Sequence, residues 1–333
     1  MLKKLVLYFV TFCTSAMKIF PAEFSHELGL ISLRLLCLLG FRVTQNNNTN
    51  IIFKGISFKN KLGLAAGLDK NGDYIDALAC LGFGFLELGT VTPRPQKGNI
   101  KPRLFRISSQ EALVNSLGFN NKGVDYLVER VSIRKSSIPL GISIGKNFDT
   151  PLKRAKDDYL ICLEKVFPYA DYIAINISSP NTEGLRDLFN KEYFSDLISS
   201  LKLKQIELSK TYMYVPLFLK ISPNTDDNYL KQLVEVILEE NIDGIICTNT
   251  SNVHNHPSGK GGISGKPLLE LSTEILVTLR SLVGKDFPII ASGGVMNLAD
   301  FQRKLDSGAD LVQIYTGLIY KGPALIDRII NAD

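Results

Sequence analysis

Seven short apolar runs in this chain each end in residues able to do chemistry. Leu62–Ala66 leads into Gly67-Leu68-Asp69-Lys70, and Phe85–Val91 carries Thr90 near its end. Tyr172–Ile177 is followed by Ser178, Ser179, Pro180, Asn181 and Thr182; Leu217–Ile221 holds Lys220; Gly244–Cys247 runs into Thr248, Asn249 and Thr250. The last two runs end in Ser292-Gly293-Gly294 and Tyr315-Thr316-Gly317. One such end is ordinary loop polarity, but seven together point to a shared site. Gly261 to Gly265, Gly293-Gly294 and Gly317 add glycines beside a hydroxyl, and bare backbone N–H groups of this kind bind phosphate. A phosphorylated cofactor fits that end. No GxGxxG follows the first run and no GxxxxGK[ST] occurs, so neither a dinucleotide-binding turn nor a P-loop is expected.

The elements that must hold these residues are legible in the same runs. With Leu140–Ile144 they make eight candidate strands, separated by helix-like stretches at 71–81, 153–166, 187–208, 226–240, 268–282 and 298–307. Short buried strands alternating with helices predict an α/β fold, a parallel (β/α)8 TIM barrel, whose sites gather at the carboxyl ends of the strands. The segment IIFKGISFKN, ahead of strand one, reads as an extra hairpin closing the barrel floor.

Composition narrows the function. The chain has 333 residues, 45% hydrophobic and 21% charged, enough to bury a large core. A net charge of +5 with Lys and Arg dispersed gives no nucleic-acid-binding face, and none is expected as a partner. Five scattered cysteines contain no CxxC, which suggests neither a disulfide framework nor a zinc site and favours a reducing compartment. His254 and His256 have no third ligand nearby in sequence, so a solvated loop is expected and no metal.

The N-terminal 41 residues differ in character. Leu5 to Met17 is an uncharged, mostly apolar run between Lys3-Lys4 and Lys18, short of the ~20 residues that span a bilayer. It also has the basic start, apolar middle and small-residue exit of a secretory signal. A second segment puts Leu28, Ile31, Leu35 and Leu39 on one face and widens it with Leu30, Leu33, Leu36 and Leu38. This is either a helix packed on its own domain or half of an interfacial pair dipping into lipid.

Six segments carry a family resemblance: AAGLDKNG, GFGFLELGTVTPRPQKGNIKPRLFR, NSLGFNNKG, NISSPNTEGLR, GGISGKPL and LVQIYTGLIYKGP. They resemble the class 2, membrane-associated dihydroorotate dehydrogenases over roughly residues 20 to 330, in the family's order. The resemblance implies oxidation of (S)-dihydroorotate to orotate in de novo pyrimidine (UMP) biosynthesis, with flavin mononucleotide (FMN) as prosthetic group and a membrane quinone as acceptor. It implies a monomer in peripheral contact with the cytoplasmic face of the cell (inner) membrane. It also divides the chain into an N-terminal quinone-access segment, 1–41, and an FMN-binding barrel, 42–333.

Carried over by position, Ala66, Gly67, Leu68, Asp69, Lys70, Thr90, Ser143, Asn176, Lys220, Thr248, Gly265, Gly294, Tyr315 and Thr316 are implied FMN contacts. Lys70, Asn115, Ser116, Leu117, Gly118, Phe119, Asn176, Asn181, Asn249 and Thr250 are implied substrate contacts. Carboxamides suit a flat ligand rich in carbonyls and N–H groups, and a lysine suits its negative charge. Ser179 is similar to the family's catalytic base, with Thr182 and Phe119 on its proton exit, whereas class 1 relatives use cysteine. His26 and Arg106 match positions lining the quinone tunnel. The chain departs from the usual pattern at Ser143 (usually Asn), Ser116 (usually Arg), Glu183 and a short 251–260 loop. A class 1 enzyme, a dihydrouridine synthase and a non-redox barrel for phosphate ligands are the competing readings.

Overall fold

A computed structural model describes residues 2–45, 51–179, 191–257 and 259–332. Two helices, α1 (Leu2–Ala16) and α2 (Ala22–Leu38), precede a hairpin of β1 (Ile51–Phe53) and β2 (Ile56–Phe58). The chain continues through β3 (Leu62–Leu64), α3 (Ile75–Ala79), β4 (Phe85–Val91), β5 (Leu104–Ile107), β6 (Ala112–Asn115), α4 (Val124–Ser132), β7 (Leu140–Ile144), α5 (Ala155–Val166) and β8 (Tyr172–Asn176). It then forms α6 (Lys191–Leu208), β9 (Leu217–Ile221), α7 (Asp227–Glu239), β10 (Gly244–Cys247), β11 (Gly262–Gly265), α8 (Leu269–Val283) and β12 (Ile289–Ser292). The last elements are α9 (Leu298–Asp306), β13 (Leu311–Ile314), α10 (Thr316–Lys321) and α11 (Pro323–Ile330).

The strands β3, β4, β7, β8, β9, β10, β12 and β13 close in that order into a parallel barrel, the expected (β/α)8 architecture. Every residue of all eight is buried, which is why they read as unbroken apolar runs with no alternation. The helices show the complementary pattern. In α7 the buried face is Leu230, Leu233, Val234 and Ile237, and Asp226 caps its start by accepting from Tyr229 N.

Glycine and aromatic residues share the barrel floor. Gly63, Gly141 and Gly244 stand beside Phe85, Tyr172 and Phe218 on neighbouring strands. A Cβ on any of them would come within 2.2, 2.0 or 2.3 Å of the adjoining ring. Each glycine thus leaves room for a large side chain to fill the taper. The expected hairpin closes this end, with Phe58 edge-on to Phe85 at 5.4 Å.

Three features were not legible in advance. β5, β6 and β11 form a separate antiparallel sheet, so part of the glycine-rich GGISG segment is strand. The helix expected over 71–81 contracts to Ile75–Ala79 because the Asp69 carboxylate takes the N–H groups of Asn71, Asp73 and Tyr74, holding the chain in a loop. Cys37 and Cys80 are joined as a disulfide between α2 and the end of α3, which corrects the expectation of unpaired cysteines.

The N-terminal helices join the fold on one side only. Leu7, Val10 and Leu30 are buried in the main core, whereas Phe9, Phe12, Phe20, Phe24, Leu35, Leu38 and Leu39 are exposed. Among the described residues no helix is long and apolar enough to cross a membrane.

Candidate active site

The site is built upward from a buried charge. Glu87, fully enclosed on β4, accepts from Tyr172 Oη at 3.0 Å and Gln313 Nε2 at 2.6 Å, and pairs with Lys220 Nζ at 3.3 Å. Four strands therefore converge on one carboxylate, and a buried ion pair tolerates its desolvation only when its lone pairs are satisfied in this way. Lys220 is held at the base of the cavity, with its charge balanced from below. Glu87 was missed because inside GFLELGT it reads as one polar residue in an apolar strand.

Above it lies a layer of carboxamides and hydroxyls. Asn176 Nδ2 donates to Thr90 Oγ1 at 2.8 Å, and Thr90 Oγ1 lies 2.8 Å from Ser143 Oγ. Asn249 Nδ2 donates to Asn176 Oδ1 at 3.2 Å and to Ser178 Oγ at 3.1 Å, and Ser178 donates to Lys220 O at 2.6 Å. Ser178 is thereby committed to the scaffold, while Ser179, 5% exposed, lines the cavity.

At the upper rim Lys70 donates to Asn120 Oδ1. Burial, then the neighbouring Arg103, push its pKa down to about 7, and Glu23 opposes them. At the opposite end Gly265, Gly293, Gly294 and Gly317 line the cavity with bare backbone, and Ser264 Oγ lies 2.8 Å from Thr316 Oγ1. Gly294 has φ +83°, and a Cβ there would stand 2.3 Å from Leu269 Cα, so only glycine fits this turn. Lys304, fully buried behind it, donates to Ser272 Oγ, which donates to Gly293 O.

One cavity at the carboxyl end of the barrel gathers most of the residues singled out in the sequence: Ala66, Gly67, Lys70, Thr90, Asn115, Leu117, Gly118, Phe119, Asn176, Ser179, Lys220, Thr248, Asn249, Thr250, Gly265, Gly294, Tyr315 and Thr316. Of the implied FMN and substrate contacts among the described residues, four stand outside its lining. Ser143 is one step behind Thr90, Asp69 caps its loop, Leu68 faces an adjoining cavity, and Ser116 faces an outer cleft. Asn181, Thr182 and Glu183 lie outside the described residues. In the 251–260 loop the His256 ring sits 4.8 Å from that of Phe105, and among the described residues no His/Cys/Asp/Glu cluster could hold a metal.

The adjoining cavity lies between α1–α2 and the barrel. Its walls are mostly apolar, with Val10, Met17, Leu30, Leu33 and Leu36 on one side and Leu318, Ile319 and Pro323 on the other, and it includes His26 and Arg106. Leu104, Leu113 and Tyr315 line both cavities and form the partition between them. Arg106 Nη1 donates to the carbonyls of Lys18 and Phe20, tying down the α1–α2 connection. His26 is driven to a pKa of about 4, first by burial and then by Lys70.

A closed parallel barrel with a polar cavity at its carboxyl end defines a TIM-barrel enzyme. The family is set by comparison. The model of the dihydroorotate dehydrogenase family matches residues 49–332, and the chain belongs to that family. It is 53% identical over 284 residues to a "Dihydroorotate dehydrogenase (quinone)" of Aliivibrio salmonicida, covering 83% of this chain and 84% of that protein. A protein of the same description from Pectobacterium atrosepticum is 51% identical over 319 residues, 93% of this chain and 95% of the other. These relatives place the chain in the class 2 branch. The crystal structure of DHODH in complex with ferulenol from Eimeria tenella superposes with a TM-score of 0.83 at 33% identity, covering 91% of this chain and 89% of that one.

Proposed function

We propose that this enzyme oxidises (S)-dihydroorotate to orotate with bound FMN, passes the electrons to a membrane quinone of the ubiquinone type, and so serves de novo pyrimidine (UMP) synthesis. The observation that carries this is the pair of cavities, one polar and one mostly apolar, that share Leu104, Leu113 and Tyr315 in their linings.

The residues present suit FMN. The glycine-lined end, with Ser264 and Thr316, matches a phosphate, and Thr90, Asn176 and Lys220 present donors and charge for the ring system. When bound there, FMN supplies a two-electron acceptor for the C6 hydride. Lys220, fixed by Glu87, is placed to stabilise negative charge developing beside it. Lys70 and the carboxamides of Asn115, Asn176 and Asn249 hold and orient the flat anion, with Thr250 and Leu117 to Phe119 completing the wall. Ser179 is the base that takes the C5 proton.

The apolar cavity suits a lipophilic acceptor. Arg106 Nε is buried there without a hydrogen-bond partner among the described residues, a donor for a quinone carbonyl. The exposed aromatic and leucine side chains of α1 and α2 suit peripheral docking on the cytoplasmic face of the cell membrane, with 1–41 as access segment and 42–333 as a monomeric catalytic barrel. The deciding experiment is anaerobic mixing of the purified protein with dihydroorotate, in which the flavin absorbance should bleach and decylubiquinone should restore it. A colourless protein would favour the barrel that binds phosphate ligands without redox chemistry. A flavin reoxidised by fumarate or NAD, but not by quinone, would favour class 1.

A further inference from the structure

Glu23 lies near the start of α2, yet it is not among the residues that line the apolar cavity whose wall that helix forms. Its Oε1 stands 2.7 Å from Arg103 Nη2 and 3.2 Å from Lys101 Nζ. Arg103 is 6% exposed, and among the described residues no other carboxylate pairs with it. Of its other donors, Nη1 goes to backbone, to Lys97 O at 2.6 Å and Asn99 O at 3.0 Å, while Nε is buried without a partner among the described residues. The turn so held is bonded in its turn to the substrate-facing segment. Asn99 N donates to Leu117 O at 3.1 Å and Asn99 Nδ2 to Ser116 O at 2.9 Å, while Ser116 N donates to Arg103 O at 2.8 Å. Gly98 sits so close that a Cβ would stand 2.2 Å from Leu117 O.

We propose that Glu23 is a positioning residue for the dihydroorotate site: by fixing Arg103 it holds the 97–99 turn, and through that turn the Asn115–Phe119 wall of the cavity. This rests on the reading of the polar cavity as the dihydroorotate site. A buried guanidinium that loses its carboxylate is free to seek other acceptors, and the nearest are the carbonyls that define the turn. The helix pair therefore reaches past the acceptor cavity and acts on the substrate cavity as well.

The same pair acts on Lys70 through its field. Arg103 opposes the ammonium and Glu23 supports it, while His26 on α2 is held neutral and Asn120 is an uncharged acceptor. Replacing Glu23 by a neutral group thus leaves Lys70 beside an uncompensated cation, and its proton is lost at lower pH.

The test is Glu23→Gln in the full-chain, FMN-loaded enzyme. Orotate binding is followed by the perturbation of the flavin spectrum from mildly acidic to alkaline pH, and KM is measured separately for dihydroorotate and decylubiquinone. Gln retains an acceptor for Arg103 but no charge, so the expected loss is about tenfold in orotate affinity, the lower end for a charge-assisted bond. Removing a negative charge near an anionic ligand would by itself tighten binding, so weaker binding that persists on the acid side of the Lys70 titration, where the ammonium is charged, reports positioning. The alkaline loss of orotate affinity should also move to lower pH. Flavin content and the KM for decylubiquinone should stay at wild-type values, because Glu23 does not line the apolar cavity. Glu23→Asp should recover part of the affinity. Unchanged or tighter orotate binding overturns the proposal, and so does an equal loss for dihydroorotate and decylubiquinone, which would mean general loosening of the helix pair. Wild-type enzyme whose flavin fails to respond to orotate would instead refute the dihydroorotate reading on which the proposal rests.

Discussion

The barrel and the helix pair in front of it treat apolar residues in opposite ways. Barrel strands bury every side chain on both faces, and their two charged groups, Glu87 and Lys220, are paired. The helices bury Leu7, Val10 and Leu30 but leave Phe12 70% and Leu39 85% exposed, and the cavity behind them has mostly apolar walls. An ordered interior gains from satisfying a few polar groups where charge develops. A surface that takes up a lipophilic molecule must keep apolar area open at the cost of solubility. Under the proposed function, the difference marks where chemistry ends and electron delivery begins, with Tyr315, Leu104 and Leu113 lining both cavities.

The sharpest way to break this comparison is inside the barrel. Ser179→Ala should retain FMN and orotate binding but slow anaerobic flavin reduction by about 10²- to 10⁴-fold, the usual worth of a general base. Stopped-flow reduction at near wild-type rate would remove Ser179 from that role. The comparison is next tested from the other side by a chain beginning near residue 42. It should keep FMN and still be reduced by dihydroorotate, at higher concentration because Glu23 is gone. It should lose vesicle binding and most of its turnover with decylubiquinone, about tenfold or more. Equal turnover with and without the helices would mean that the apolar cavity is not the quinone route.

Lys220→Ala tests whether the buried pair serves the flavin. It should lower the flavin potential and weaken FMN retention, and it leaves Glu87 uncompensated, which costs about 3–5 kcal/mol of stability. An unchanged potential in potentiometric titration would leave Lys220 with a structural role only. The smallest effect is expected at His26. Its folded pKa of about 4 lies below the ordinary 6.5, so the unfolded or undocked state binds the extra proton. The stability it contributes is present above about pH 6.5 and is lost as pH falls toward 4, by about 1–3 kcal/mol. Hydrogen exchange in α2 should therefore speed up over that window in wild type, and less so in His26→Gln.

Much of the barrel was legible because its signals are local. Apolar runs of strand length, and glycines or hydroxyls at their ends, are visible within a few residues, and all eight expected strands are present with small shifts at their ends. Most of the expected site residues likewise converge in one cavity, since strand ends in a parallel barrel must meet at one rim. The second N-terminal segment was left open between a helix packed on its own domain and half of a lipid-facing pair; the structure packs it through Leu30 and leaves Ile31, Leu35 and Leu38 exposed.

What the sequence determined alone was thus the periodicity of the strands, the chemistry stored at their ends and, through its motifs, the family. Only the tertiary structure decided which partner each buried charge has. Glu87 finds Lys220 across 133 positions and Arg103 finds Glu23 across 80, and nothing near either residue marks the partner. The separate β5–β6–β11 sheet and the Cys37–Cys80 bond were hidden for the same reason. Secondary structure follows from preferences that neighbouring residues state together, whereas a contact between distant residues exists only after the barrel has closed and brought them side by side.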